Sequence, residues 1–296
     1  MSNNEITLFH ELIGDRTKPV MVLVQGLGLP SLSWHRELVD AIIDAGFSVL
    51  LLDNRDCGLS TVLHHHGSPN VAKMIMRKLI GLQAGSSAYT LAEMAADVVG
   101  CCDELGIKEF HIAGVSMGGM IAQTVAINYP SRVLSLCSIM STTGERRYSV
   151  PKAAVRRAVI APQPTDREGR IEQALKFWQV IGSPAFPTDE ELLRQRLAAN
   201  YDRGFYPDGT MRQLAAIIAS PPRFKSLQQS SVPGLVIHGD CDLLVPLKGG
   251  LRTAKALGVA PMVIEGMGHD LPMQLLDRFA AAMTSHASRA EDCKAG

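Results

Sequence analysis

No stretch of this 296-residue chain approaches the roughly 18–20 continuous apolar residues that a membrane-spanning helix needs. Apolar runs such as Val20–Val24 and Val49–Leu52 are only strand length, so stable membrane insertion is not expected. The N-terminus, MSNNEITLFHELIG, lacks the basic region followed by an apolar one that marks a secretory signal. Neither sign of charge is in excess, since 29 Lys plus Arg balance 29 Asp plus Glu. A nucleic-acid binder needs a basic face for the phosphates, so nucleic acid is not an expected partner. The six cysteines (57, 101, 102, 137, 241 and 293) include no C-x-x-C pair, and adjacent Cys101 and Cys102 make a poor intramolecular staple. Reduced packing thiols and a cytoplasmic location are therefore expected. Hydrophobic residues at 46% and charged residues at 20% exclude wholesale disorder.

Short runs rich in Val, Ile and Leu alternate with longer amphipathic stretches, the pattern of a mostly parallel sheet crossed by helices. Strands are expected at Ile6–Leu12 (an edge), Val20–Val24, Ser48–Leu52, Phe110–Val115, Val133–Met140, Leu235–His238 and Pro261–Ile264. Helices are expected at Leu38–Ala45, Thr90–Leu105, Gly118–Asn128 and Leu271–Thr284, with a frayed polar tail from Ser285. Thr90 with Glu93 three residues on reads as a capping box. The alternation breaks over 143–230, which holds helical periods at Ile171–Val180 and Leu192–Tyr201 and no clear strand. A helical insertion over a sheet domain of residues 1–142 and 231–296 fits best. A smaller insertion, 63–88, carries the amphipathic segment Val71–Ile80, expected to pack near the mouth of the site.

The sharpest chemical feature is Gly114-Val115-Ser116-Met117-Gly118. Such a G-x-S-x-G string is weak alone, but this one ends a hydrophobic strand and opens a helix, the strand–turn–helix setting of a nucleophile elbow. Glycines on both sides let the backbone turn sharply, and the helix N-terminus offers N–H groups to a developing anion. A serine hydroxyl needs a base to remove its proton. Downstream of Ser116 lie only His238, inside a strand, His286, in the tail, and His269 in the loop after Gly266-Met267-Gly268. His269 is the expected base. In His238-Gly239-Asp240-Cys241-Asp242, Asp240 is placed to brace the turn and Asp242 to reach the imidazole.

These features resemble the α/β-hydrolase family. The elbow Gly114–Gly118, Asp242 in D-x-x-V-P and His269 in Gly-x-Gly-His all match its pattern. Asp53-Asn54-Arg55-Asp56-Cys57-Gly58-Leu59-Ser60 resembles the family's D-x-R-x-x-G-x-S loop, where Asp53 and Arg55 are read as structural. The resemblance implies an α/β fold with the 143–230 segment as a helical cap, and an oxyanion hole from the backbone N–H groups of Leu27 and Met117. The chain departs from the family in having Gln25 where a histidine is usual, which leaves the bracing of that loop open. The strings LLLDNRDCGLST and GVSMGGMIAQ are similar to those of small bacterial esterases, the aclacinomycin methylesterase type among them.

The expected activity is that of a serine carboxylesterase acting through an acyl-enzyme on a small-molecule apolar ester, without metal or organic cofactor. Perhydrolysis or cofactor-free haloperoxidation, C–C bond hydrolysis and a non-catalytic receptor are the alternatives on the same framework. A homo-oligomer is compatible with the chain, and cap residues of 143–230 are expected to contact substrate. Met117 and Met267 flank triad members and have the best claim among the methionines to line the pocket. The histidine run His64–His66 reads as a solvated loop, and Cys57 and Cys241 as bystanders. A histidine base predicts activity rising from about pH 6 to 8. A chemistry-limited rate that stayed flat over that interval would remove His269 from the role.

Overall fold

Val20, Val22 and Val24 face one apolar layer while Met21 and Leu23 face the other, and all five are sealed from solvent. A strand buried on both faces needs helices above and below the sheet. The computed structural model, which describes residues 6–159 and 164–295, supplies them. Its strands are β1 (His10–Ile13), β2 (Val20–Val24), β3 (Ser48–Leu52), β4 (Phe110–Val115), β5 (Val133–Ile139), β6 (Gly234–Gly239) and β7 (Met262–Ile264). They lie in the order β1-β3-β2-β4-β5-β6-β7, parallel except for β1. Interleaved with the first five strands are α1 (Arg36–Asp44), α2 (Val71–Leu79), α3 (Leu91–Glu104) and α4 (Met117–Asn128). The layer containing α3 and α4 packs on Val22, Leu50 and Ile112; α1 and the C-terminal helix pack on Leu23, Val49 and Ala113. Among the described residues no helix is long and apolar enough to cross a membrane.

Most expected elements appear within a residue or two, and Thr90 and Glu93 form the capping box. Three expectations fail, one of them the start of the last helix, which lies at Leu276 and not Leu271. The edge strand begins at His10, not Ile6, because the preceding backbone is claimed elsewhere: Thr7 N–H donates to Thr61 Oγ1 and Phe9 N–H to Ser60 Oγ. The tail does not fray. After a turn at Met273–Leu275, α12 runs from Leu276 to Ala295, with Ala287 and Ala290 buried and Lys294 paired with Glu109. Small residues on one helical face can pack closely even in a stretch of polar average composition.

Between β5 and β6 lie α5 (Arg146–Ser149), α6 (Ala153–Val159), α7 (Arg167–Ile181), α8 (Glu190–Gly204), α9 (Pro207–Ala219) and α10 (Phe224–Gln228), followed after β6 by α11 (Leu247–Leu257). Helices α7 and α8 meet through Ile171, Leu175 and Leu197. α9 packs Ala215 against Val71 and Met74 of α2, while Ala216 joins the main core.

Ion pairs bind these helices to the loop after β3. Arg212 of α9 grips Asp56 at 2.8 and 2.7 Å, and Asp56 also accepts from Tyr89 Oη (2.7 Å) and Leu63 N–H (2.8 Å). Burial alone would raise the Asp56 carboxyl, but these donors hold it below the ordinary value. Arg203 of α8 meets Asp53 at 3.0 Å, and Asp53 accepts N–H groups from Ser31 and Leu59. Arg55 pairs with Asp97 of α3 at 2.6 Å. Asp53 and Arg55 thus tie loops together, the structural reading made of them from the sequence, and Asp56 and Asp97 join them. Removing one partner of a buried pair strands the other charge, so Arg212→Ala is expected to cost about 3–5 kcal/mol in urea unfolding. A loss near zero would show that water or another residue solvates Asp56.

Candidate active site

β2 and β4 are neighbours whose chain continues in opposite directions across the sheet, so a crevice opens at their C-terminal ends. Ser116 stands there, between β4 and α4, with φ +54° and ψ −117°. A left-handed φ is costly for a residue with a Cβ, and tight packing of the turn holds it. A Cβ added at Gly114 would lie 2.2 Å from the Gly118 carbonyl oxygen, and one at Gly118 would lie 2.0 Å from that of Val24. Ser116 N–H donates to Ile139 O at 3.0 Å, and Ser141 Oγ donates to Ser116 O at 2.7 Å. The hydroxyl is thus presented above the sheet by contacts with β2, β5 and the loop beyond it.

His269 and Asp242 converge on Ser116 from the loops after β7 and β6. His269 Nε2 lies 3.0 Å from Ser116 Oγ, and His269 Nδ1 lies 2.7 Å from Asp242 Oδ2. Asp242 Oδ1 accepts the N–H groups of Leu244 (2.9 Å) and Val245 (2.8 Å). Burial by itself would raise the Asp242 carboxyl, but the charge of His269 and hydrogen bonds from His238 and His269 overcome this and hold it at about 2. Asp240 stays out of this chain and braces the turn, accepting Gly266 N–H at 2.7 Å.

The loop after β2 closes the other side. A Cβ on Gly26 would sit 3.3 Å from the Ser116 Cβ, so this backbone runs directly over Ser116. The N–H groups of Leu27 and Met117 make no hydrogen bond to another described residue, whereas those of Gly26 and Gly28 are taken by Gln25 Oε1 (3.2 Å) and Gln213 Oε1 (2.8 Å). Gln25 is buried, and its carbonyl accepts from Asn54 Nδ2 at 3.0 Å. The loop is therefore braced by amide side chains. Gln213, on α9, has no local sequence signal pointing to it; its Nε2 reaches Arg55 O at 2.7 Å.

The family model described as the alpha/beta hydrolase fold matches residues 19–274. The chain belongs to the α/β-hydrolase family. It is 27% identical to rhodomycin D methylesterase of Streptomyces peucetius, with 98% of each chain covered. It is 29% identical to the 2-hydroxy-6-oxononadienedioate/2-hydroxy-6-oxononatrienedioate hydrolase of Burkholderia vietnamiensis, with 88% of this chain and 83% of the relative covered. In fold it is similar to a meta-cleavage product hydrolase from Pseudomonas fluorescens, with TM-score 0.73 at 20% identity over 96% of this chain and 95% of that one.

Above Ser116 this hydrolase has a cavity of about 1750 Å³, roofed by residues of the 143–230 segment that include Phe177, Trp178, Tyr201 and Phe205. Four of the chain's fifteen Phe, Trp and Tyr side chains thus stand at this wall. Met120 and Met140 also line it. Met117 and Met267 do not; both are fully buried in the packed layers beneath, a correction to the sequence reading. The His64–His66 turn is exposed, with His64 against the Tyr206 ring.

Several supporting residues escaped the sequence reading. His238 lies in β6 as expected, but its Nε2 donates to Val245 O at 2.7 Å and sits 3.4 Å from Asp242 Oδ2. The i, i+4 spacing of His238 and Asp242 was a usable signal. The end of α7 and the segment after it hold the histidine loop: His269 N–H donates to Ile181 O at 2.7 Å, and Gly268 N–H to Ser183 Oγ at 2.8 Å. Ser183 in turn donates to Asp270, whose carboxyl burial raises.

The lowered Asp242 value has a stability consequence. A carboxyl moved from 3.8 to about 2 on folding contributes stability present in full above the unfolded value and lost as pH falls through the folded one. The unfolding free energies of the native chain and Asp242→Asn should differ by about 2 kcal/mol more at pH 6 than at pH 2. Parallel curves across that interval would contradict the assignment.

Proposed function

We propose that the protein is a serine carboxylesterase in which Ser116 Oγ attacks the ester carbonyl as His269 Nε2 takes its proton. The observation that carries this reading is the continuous hydrogen-bond chain from Ser116 Oγ through His269 to Asp242, beside two unused backbone N–H groups. The Asp242 carboxylate keeps the proton on Nδ1 and leaves Nε2 free to accept. Leu27 and Met117 N–H groups would hold the oxyanion in a partly dry site, where each such donor is worth far more than in water. His269 then protonates the departing alcohol and activates the water that releases the acid.

The cavity and the relatives narrow the substrate. About 1750 Å³ exceeds the roughly 300–1,000 Å³ of an ordinary ligand pocket, and aromatic walls suit a broad apolar body. Similarity to rhodomycin D methylesterase favours a methyl ester of a bulky ring system. The 143–230 segment then serves as a cap, selecting the acyl part while the sheet domain performs the chemistry. Hydrolysis of a C–C bond is the second reading, favoured by the 29% identity to the nonadienedioate hydrolase.

Graded p-nitrophenyl and methyl esters, from acetyl to polycyclic acids, test this with the native chain and Ser116→Ala. Turnover should fall by about 10³-fold or more in the variant. Equal turnover by both proteins would refute the nucleophile. Turnover of a vinylogous 1,5-diketone with no ester hydrolysis would move the activity to C–C cleavage.

A further inference from the structure

Arg223 lines the same cavity as Ser116 and His269, at its junction with the loop after β5. The residue is 6% exposed. Its Nε donates to Gln123 Oε1 at 3.1 Å and its Nη2 to the Thr142 carbonyl at 3.0 Å. Its backbone N–H donates to Thr143 O at 2.8 Å. Gln123 is held in turn by Ser138, whose Oγ accepts from Gln123 Nε2 at 3.0 Å. Every one of these acceptors is neutral.

Most other arginines set into the fold are treated differently, although half-buried Arg196 on the same cavity likewise bonds only to neutral groups, His35 and the Ser33 carbonyl. Arg55, Arg203 and Arg212 each face a carboxylate, on Asp97, Asp53 and Asp56. Among the described residues no carboxylate pairs with Arg223, and Nη1 has no hydrogen-bond partner. Among the described residues, the unpaired side-chain atoms sealed from solvent are Ser33 Oγ, Trp34 Nε1, Ser87 Oγ and His238 Nδ1. Nη1 is not one of them, so it keeps some exposed surface, and Arg223 is among the residues that line the cavity. Burial pulls the Arg223 guanidinium down to about 10, the mark of a cation without a compensating charge.

The rest of the cavity has the same sign. Lys78, Arg146, Arg170 and Arg196 also line it, against Asp240 and Asp270. Both acids are engaged, Asp240 by Gly266 N–H and Asp270 by Ser183. A buried charge with neutral partners is expensive, and a chain that keeps one at a ligand cavity has a use for the charge.

We propose that Arg223 anchors a carboxylate subsite, so that the ester substrate carries, besides the ester to be cleaved, an ionised carboxyl group that docks on the Nη1 side of the guanidinium. The inference rests on reading the cavity as an ester site and adds the substrate's charge to that reading. The Nε–Nη2 edge of the fork is spent on Gln123 and Thr142, which fix the plane of the group. The Nη1 side remains for a planar oxyanion, with hydrogen bonds assisted by charge on both partners. A neutral ester or amide in that position leaves the cation unpaired, so the subsite selects monoesters of dicarboxylic acids over the corresponding diesters.

Calorimetric binding to the Ser116→Ala protein tests the subsite without requiring turnover. The probes are monomethyl succinate, adipate and suberate, each paired with its dimethyl ester. The best monoester should bind about tenfold or more tightly than its diester, the size expected for a hydrogen bond to a charged group. Adding Arg223→Met should bring that ratio close to one, and Arg223→Lys should keep part of it. Equal binding of monoester and diester by Ser116→Ala, or a ratio that survives Arg223→Met, would overturn the proposal. Should Arg223→Met fail to fold, a crystal structure of Ser116→Ala with the monoester decides. A carboxylate on Nη1 supports the subsite, and one on Arg196 or at the Leu27 and Met117 amides refutes it. Monoester selectivity that depends on Arg223, in a native chain that hydrolyses no ester, would uphold the subsite and sink the esterase.

Discussion

Everything at the site depends on how closely three backbone segments approach one another around Ser116. Gly114 and Gly118 meet at the elbow, and Gly118 rests on the last carbonyl of β2, at separations no side chain would allow. That contact aligns the serine with the loop that follows β2 and forces its φ to +54°. The strain is local and the surrounding parallel strands are buried on both faces, so the turn has no room to relax. The hydroxyl, the two unused N–H groups and the helix N-terminus are thereby placed together before any ligand arrives.

A second set of forces connects the helices between β5 and β6 to this rigid base. Arg203 and Arg212 reach from α8 and α9 to Asp53 and Asp56, and Gln213 reaches from α9 to Gly28. The end of α7 and the segment after it clasp the histidine loop through Ile181 and Ser183. The roof of the cavity is thus hydrogen-bonded to the loops that carry Leu27 and His269. The contacts are ion pairs and hydrogen bonds to the backbone of Gly28, Gly268 and His269.

The legible parts of the site were those with a local cause. Ser116 was visible because an elbow needs glycines at fixed offsets between a strand and a helix, and Asp242 and His269 because each follows a strand in the expected chain order. Gln213, Ser183 and Arg223 were not visible. Each acts across more than 80 residues of chain, on Gly28, Gly268 and Thr142 respectively, and nothing in its own neighbourhood signals the partner. The methionine reading failed for a related reason. Proximity to Ser116 and His269 along the chain does not say which way a side chain points, and Met117 and Met267 point into the packed layers.

Read along the chain, periodicity, glycine spacing and capping act over a few residues, and they are enough for the alternation of buried strands and amphipathic helices, the elbow and the order of its two partners, Asp242 and His269. They did not determine the end of the chain, where the burial of Ala287 and Ala290 turned a polar tail into helix α12. The bracing of the loop after β2, the aromatic residues at the cavity and the neutral partners of Arg223 arise only on folding. Those properties come from long-range packing, in which one residue's solvation and hydrogen bonds depend on neighbours that the chain brings together only when folded.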